Sequence, residues 1–168
     1  IKNNYHINTG VLTTPFICKV LTEYGYLDTA YKLLLQTTKP SWLYSITKGA
    51  TTIWENWNGV DEEGKPHESH NHYSYGAVVG WLMSMVAGIK VEPAKNHFTI
   101  APHPGGNLEW INASYKSIIG KVEIKWEKSE KELRCKVDIP CNTSATILLP
   151  DGRNYEVEAG RYEYKIVI

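Results

Sequence analysis

The stretch YSYGAVVGWLMSMVAGIKVEP (residues 73–93) contains the change of period that decides the fold class. Val78, Trp81, Leu82, Met85, Val86 and Ile89 recur at helical spacing and form one continuous apolar stripe. This predicts a helix from about Tyr73 to Gly88. After Gly88 the period falls to two. Val122, Ile124 and Trp126 alternate with Lys and Glu, as do Leu133, Cys135, Val137 and Ile139, and later Tyr162, Tyr164, Ile166 and Ile168. Pro150-Asp151-Gly152 and Ala159-Gly160 read as turns between the later runs. The expected architecture is α+β in two parts, with helices over residues 1–91 and a small antiparallel β-sandwich over residues 92–168.

Upstream of that stretch two further helices are expected. Thr14-Pro15 opens the first, with Pro where its missing N–H costs nothing. Ile17, Val20, Leu21 and Tyr24 follow at i, i+3, i+4 and i+7 before Gly25 ends the run. The second starts near Tyr26, carries Ala30, Leu33 and Leu34 on one face, and stops at Thr37-Thr38-Lys39-Pro40. A β-domain of about seventy-five residues can enclose a core of its own. Three helices with heavy one-sided apolar faces cannot do so as well. The helical part is therefore expected to belong to a larger helical array preceding Ile1. The chain opens at Ile1 without a charged-then-apolar leader, so it is expected to begin within a longer protein or after processing, and no cellular address can be read from it.

Charge removes two classes of partner. Eighteen Lys and Arg balance eighteen Asp and Glu. Residues 1–90 carry seven of each sign and residues 91–168 eleven of each, so neither part has the basic surplus needed to hold nucleic acid or an anionic membrane. All three arginines, Arg134, Arg153 and Arg161, lie in the second part. No apolar run reaches the length of a membrane span. Cys18, Cys135 and Cys141 are too few and too scattered for a disulfide framework or a zinc knuckle; Cys135 and Cys141 could pair if they face each other, but all three read better as small apolar core residues.

Between the second and third helices the sequence becomes dense in groups that bind sugars. PSWLY (40–44), GATTIWENW (49–57) and NHY (71–73) bring indoles, which stack on the C–H faces of sugar rings, next to carboxylate, amide and imidazole groups that bond hydroxyls. Trp81 lies within the apolar stripe and reads as core. Trp54 and Trp57 flank an acid in a loop rich in Gly and Thr, where packing explains them less well. That acid, Glu55, is the candidate catalytic group; composition alone favours the other reading, an exposed loop acid. Between two indoles a carboxylate is partly desolvated, which suits it to general acid or base work. Asp61, Glu62 and Glu63 beside Gly64 read as a solvated hairpin. His67 and His70 lack a matching cluster elsewhere and read as solvated loop histidines, so no metal site is expected.

PSWLYSITKGATTIWENW (40–57), followed by NHYSYGAVVGWLMSMVAGI (71–89), resembles the bacterial α-L-rhamnosidases. TTPFICKVLTEYGYLDTAYKLLLQ (13–36) is similar to the helical pair before this motif in that family. SYKSIIGKVEIKW (114–126) and VDIPCNTSATILLP (137–150) resemble its small C-terminal β-domain. The resemblance implies that residues 1–91 are the end of an (α/α)6 barrel. It also implies hydrolysis of terminal α-L-rhamnosides with inversion, with Glu55 as general base and His72 contacting the sugar. The general acid is implied to lie in an earlier barrel segment with no counterpart in this chain, so the fragment alone is expected to be inactive. Trp54 and Trp57 are the further candidates for contact with substrate. The implied partners are a carbohydrate and the rest of the parent chain, and acid–base hydrolysis needs no cofactor. The segment from Trp57 to Asn71 is shorter than is common in the family and unusually rich in His and Glu. Two alternatives stay open. One is a carbohydrate-binding module without chemistry, which would not need Glu55. The other is a related barrel glycosidase acting on a different sugar.

Overall fold

The computed structural model describes residues 3–167; Ile168, the last member of the expected alternation, lies outside the described residues. The chain divides into two compact units, Ile1–Trp81 and Leu82–Ile168.

The first unit is helical. It contains α1 (Thr14–Glu23), α2 (Leu27–Leu34), α3 (Trp42–Thr47), α4 (Tyr73–Gly76) and α5 (Val78–Trp81). α1 and α2 lie where the apolar spacing places them. α3 was not foreseen; its start is fixed by Ser41, whose Oγ accepts the Tyr44 N–H at 3.2 Å.

α1 is rotated from the expected face: Ile17 and Leu21 are half-buried, but the centre of the buried side lies elsewhere. It buries Thr14, Cys18 and Thr22, while Phe16, Val20 and Tyr24 are exposed. The rotation is possible because both threonine hydroxyls are bonded to main-chain carbonyls four residues back. Thr14 donates its hydroxyl to the Gly10 carbonyl at 2.9 Å, and Thr22 donates to the Cys18 carbonyl at 2.8 Å. Spacing alone cannot separate a threonine that needs water from one already satisfied by the preceding turn. Tyr31 of α2 meets the Trp81 ring edge-on at 5.3 Å, which completes this small core.

The single helix expected from Tyr73 to Gly88 is broken. After α4 and α5 comes a π turn over Leu82–Val86, in which Ala87 donates its N–H to the Leu82 carbonyl at 2.8 Å. Gly88 then adopts φ +80°, and a Cβ there would lie 2.2 Å from the Ala101 carbonyl carbon. Only glycine meets both demands. Ile89, at the end of the apolar stripe, consequently belongs to a strand.

The second unit is built on one six-stranded sheet. Its strands are β1 (Ile89–Glu92), β2 (His97–Ile100), β3 (Trp110–Ser117), β4 (Gly120–Lys128), β5 (Glu132–Leu148) and β6 (Asn154–Val167). The order is β1-β2-β5-β4-β3, and β6 pairs with β5. β1 thus begins ahead of residue 92. The expectation of a purely antiparallel sandwich is corrected, because β2 runs parallel to β5 within a single mixed sheet. The cause is the length of β5. β6 accompanies it from Glu132 to Leu148, while β4 and β2 take successive segments, residues 133–138 and 144–147. Between them the register breaks, with β5 advancing from Ile139 to Ser144 while β6 moves only from Gly160 to Glu158. Pro140 has no N–H for the ladder at this point. Ala159-Gly160, expected as a turn, is the β6 side of this break.

The inward face buries Phe98, Ile100, Val122, Ile124, Trp126 and Ile147 completely, and Trp126 donates its indole N–H to the Val86 carbonyl at 3.1 Å. The outward face is charged. β4 presents Glu123, Lys125 and Glu127 opposite Asp138, Lys136 and Arg134 of β5. β6 adds Arg161 and Glu163, paired with Asp138 at 2.8 Å and Lys136 at 3.6 Å.

Candidate active site

The segment from residue 52 to 72 folds back on itself as a loose antiparallel excursion in the helical unit. His72 donates its N–H to the Ile53 carbonyl at 2.8 Å, Glu55 to Ser69 at 2.9 Å, and His67 to Gly59 at 3.0 Å; Val60 and Pro66 form the outermost bridge. Asp61 and Lys65 close the tip, where Gly64 has φ +80°. This is the hairpin read from Asp61, Glu62 and Glu63, and all three are exposed. Glu55 and His72, seventeen positions apart in the sequence, are thus each cross-bonded to the opposite arm of the excursion, to Ser69 and Ile53 respectively.

Glu55 is half-buried, and its Oε2 accepts the Ser69 N–H at 3.4 Å. The Glu55 backbone N–H in turn donates to the Ser69 carbonyl at 2.9 Å. The carboxylate charge reaches Tyr75. Burial pushes the Tyr75 phenol up, and the negative charges of Glu55 and Glu68 raise it further. Glu68 in turn accepts from the Asn56 amide at 3.1 Å.

His72 caps α4. Its Nδ1 accepts the Ser74 N–H at 3.3 Å, and its ring lies over Tyr73. A backbone amide can only donate, so Nδ1 is the unprotonated nitrogen and the ring proton of the neutral imidazole sits on Nε2. The half-buried His72 thus offers Nε2–H as a donor.

The two flanking tryptophans have different roles. Trp54 is 6% exposed, with His70 stacked on it at 4.7 Å and Gly59 so close that a Cβ would fall 2.7 Å from the indole. His70 also bonds the Gly59 carbonyl, so it is a packing residue and not the solvated loop histidine expected; His67 is exposed. Trp57 is half-buried and lies parallel to Tyr75 at 3.7 Å, with Trp42 edge-on at 5.6 Å. Trp42 donates its own N–H to the Tyr75 carbonyl at 2.8 Å. The Trp42–Trp57–Tyr75 cluster is the support that sequence reading missed. Its only sequence signal was the recurrence of aromatics in WENW and NHYSY. Among the described residues no group of three or more His, Cys, Asp and Glu side chains gathers as a metal would require, and no helix is long and apolar enough to cross a membrane.

Residues 1–86 match the bacterial alpha-L-rhamnosidase 6 hairpin glycosidase domain, and residues 88–163 match the bacterial alpha-L-rhamnosidase C-terminal domain. The chain belongs to the bacterial α-L-rhamnosidase family. An alpha-L-rhamnosidase from Streptomyces avermitilis is 38% identical over 152 residues, covering 88% of this chain and 15% of the relative. One from Formosa agariphila is 41% identical over 150 residues, covering 86% and 16% respectively. Among solved structures, the Streptomyces avermitilis alpha-L-rhamnosidase complexed with L-rhamnose superposes with a TM-score of 0.91 at 32% identity, over 98% of this chain and 18% of that one. The Aspergillus terreus alpha-L-rhamnosidase gives 0.92 at 32% identity, over 98% and 20%. This rhamnosidase-family chain thus spans about one sixth of the curated relatives named here. The mixed helix-and-sheet architecture is similar to that of the rhamnosidase structures.

Proposed function

We propose that this chain is the C-terminal part of an inverting α-L-rhamnosidase, with Glu55 as the base that activates water. The observation that carries the reading is the fold-back of residues 52–72, which bonds the Glu55 carboxylate to the Ser69 N–H and holds Glu55 and His72 by backbone bonds on opposite arms of the same excursion. A base must hold its proton acceptor at a set position, and a sugar hydroxyl needs a donor beside it. Trp57 contributes to the sugar-facing wall on its support of Tyr75 and Trp42, while Trp54 keeps the excursion in shape from within.

Inversion requires a second carboxyl group roughly 6.5–9.5 Å from the base, to leave room for water. In this reading the acid comes from the part of the parent that precedes these residues, so the chain alone does not turn over. Residues 1–91 would then close an (α/α)6 barrel. The β-domain follows, with the passage between the two parts lying between residues 82 and 92.

The test is Glu55→Gln in the full-length parent, assayed on an aryl α-L-rhamnoside. The substitution keeps the shape and removes the proton acceptor. The expected result is a fall in kcat of at least about 10²-fold with substrate binding retained. Normal turnover by this variant would overturn the assignment.

A further inference from the structure

We infer that the outward face of the sheet formed by β3, β4, β5 and β6 is a second carbohydrate-binding site, with Trp110 as its stacking platform and a neutral oligosaccharide as its ligand. Neither Glu55 nor His72 takes part in it.

Trp110 opens β3 and is 65% exposed. Its neighbour Ile111 is turned partly inward, so alternation puts the indole on the outward face. The register fixes what lies beside it. Trp110 pairs with Glu127, which pairs with Arg134, which pairs with Lys165. The next outward row begins with Asn112 opposite Lys125. Four strands at about 4.8 Å spacing make this face about 14 Å wide, enough for a short chain of sugars.

The same face is concave on the strands beyond β3, which carries the indole. A groove of about 440 Å³ runs over β4, β5 and β6, and its charged lining is Glu123, Lys125, Lys136, Asp138, Arg161 and Glu163. That volume is in the range of small-ligand sites. Three of these groups are cationic and three anionic, so the groove has no net field to draw in a polyanion. It does hold a dense array of donors and acceptors. Sugar hydroxyls both donate and accept, and can bond carboxylates and ammonium or guanidinium groups together. The exposed indole supplies the flat apolar surface that a pyranose C–H face needs.

A purely stabilising role accounts for this face less well. Exposed ion pairs such as Arg161–Asp138 contribute little to stability, so the charged lattice is weak as a stabilising device. A protein partner also fits less well. It would have to desolvate the whole lattice, and charged residues are depleted from the centres of protein interfaces. A hydrated polyol leaves much of that solvation in place.

The test uses the full-length parent in affinity gel electrophoresis, with gels cast to contain a neutral rhamnan, xylan or galactan. The wild-type protein should be retarded by at least one of the three. Trp110→Ala should weaken that retardation by about tenfold or more in apparent Kd, with an unchanged melting temperature, while Trp110→Phe keeps part of it. Any retardation through the rest of the protein is common to all variants, so the difference reads Trp110 alone. Three results would overturn the inference: no retardation by any gel, equal retardation of wild type and Trp110→Ala, or a lowered melting temperature in Trp110→Ala with retardation preserved. The last would make the indole a packing residue.

Discussion

The indole N–H of Trp81 donates to the hydroxyl of Thr22 at 2.9 Å and joins α5 to α1 inside the helical unit. Both residues are buried, and the same hydroxyl donates onward to the Cys18 carbonyl. Thr22→Val keeps the volume but leaves the indole without an acceptor. A loss of about 1–3 kcal/mol is expected, seen as a lower melting temperature. Thr22→Ser should recover most of it. Equal stability of Val and Thr at this position would show that the bond contributes nothing.

His72 caps α4 through Nδ1, and in the proposed site it also donates Nε2–H to the sugar. Asn can cap a helix but does not reach as far. In the full-length parent, His72→Asn should therefore leave the melting temperature nearly unchanged and lower kcat/KM by about tenfold, the value of one hydrogen bond to substrate. Loss of stability without loss of kcat/KM would confine His72 to the cap.

Azide provides a stereochemical check on Glu55. As an anionic nucleophile it needs no base, so it should restore part of the activity of Glu55→Gln and give a glycosyl azide of inverted configuration. A retained product would mean a covalent intermediate and a different mechanism.

The thiols should separate cleanly. Burial pushes both Cys18 and Cys135 up to about 12 from an ordinary value of 9.0, whereas Cys141 is exposed. Iodoacetamide on the native chain near pH 8 should label Cys141 alone, as mass spectrometry of the peptides would report. The buried thiols bind protons more tightly folded than unfolded. Their contribution to stability is therefore full below pH 9 and is lost as pH rises towards about 12. Labelling of Cys18 or Cys135 in the native chain would contradict their burial.

How far the sequence could be read depended on which forces leave a periodic trace. α1, α2 and the alternation in β4, β5 and β6 follow from apolar spacing, and Gly25 and Gly88 act as stops because both take positive φ. Which face α1 buries did not follow, since the Thr14 and Thr22 hydroxyls are satisfied by carbonyls four residues back, at Gly10 and Cys18. The π turn at Leu82–Val86 kept its residues apolar while changing their direction, so the stripe looked continuous. The parallel β2–β5 pair joins segments far apart in the sequence and leaves no local mark. At the candidate site, WENW and NHY supplied the candidate groups. The cross-bonds from Glu55 to Ser69 and from His72 to Ile53, which place the two groups, are backbone contacts that no residue type announces.

The division of β5 between β4 and β2 also orders assembly in time. β3 and β4 meet across a turn of two residues between Ser117 and Gly120, a closure that costs little entropy. β2 must instead find β5 across a long loop, the His97 ring reaching Ser144 over 47 positions, and it can do so only once the second half of β5 exists as a template. During synthesis β1 and β2 leave the ribosome before their partner does. The first strands made are thus among the last to be seated, and until then Phe98 and Ile100, fully buried in the finished sheet, have nowhere to go.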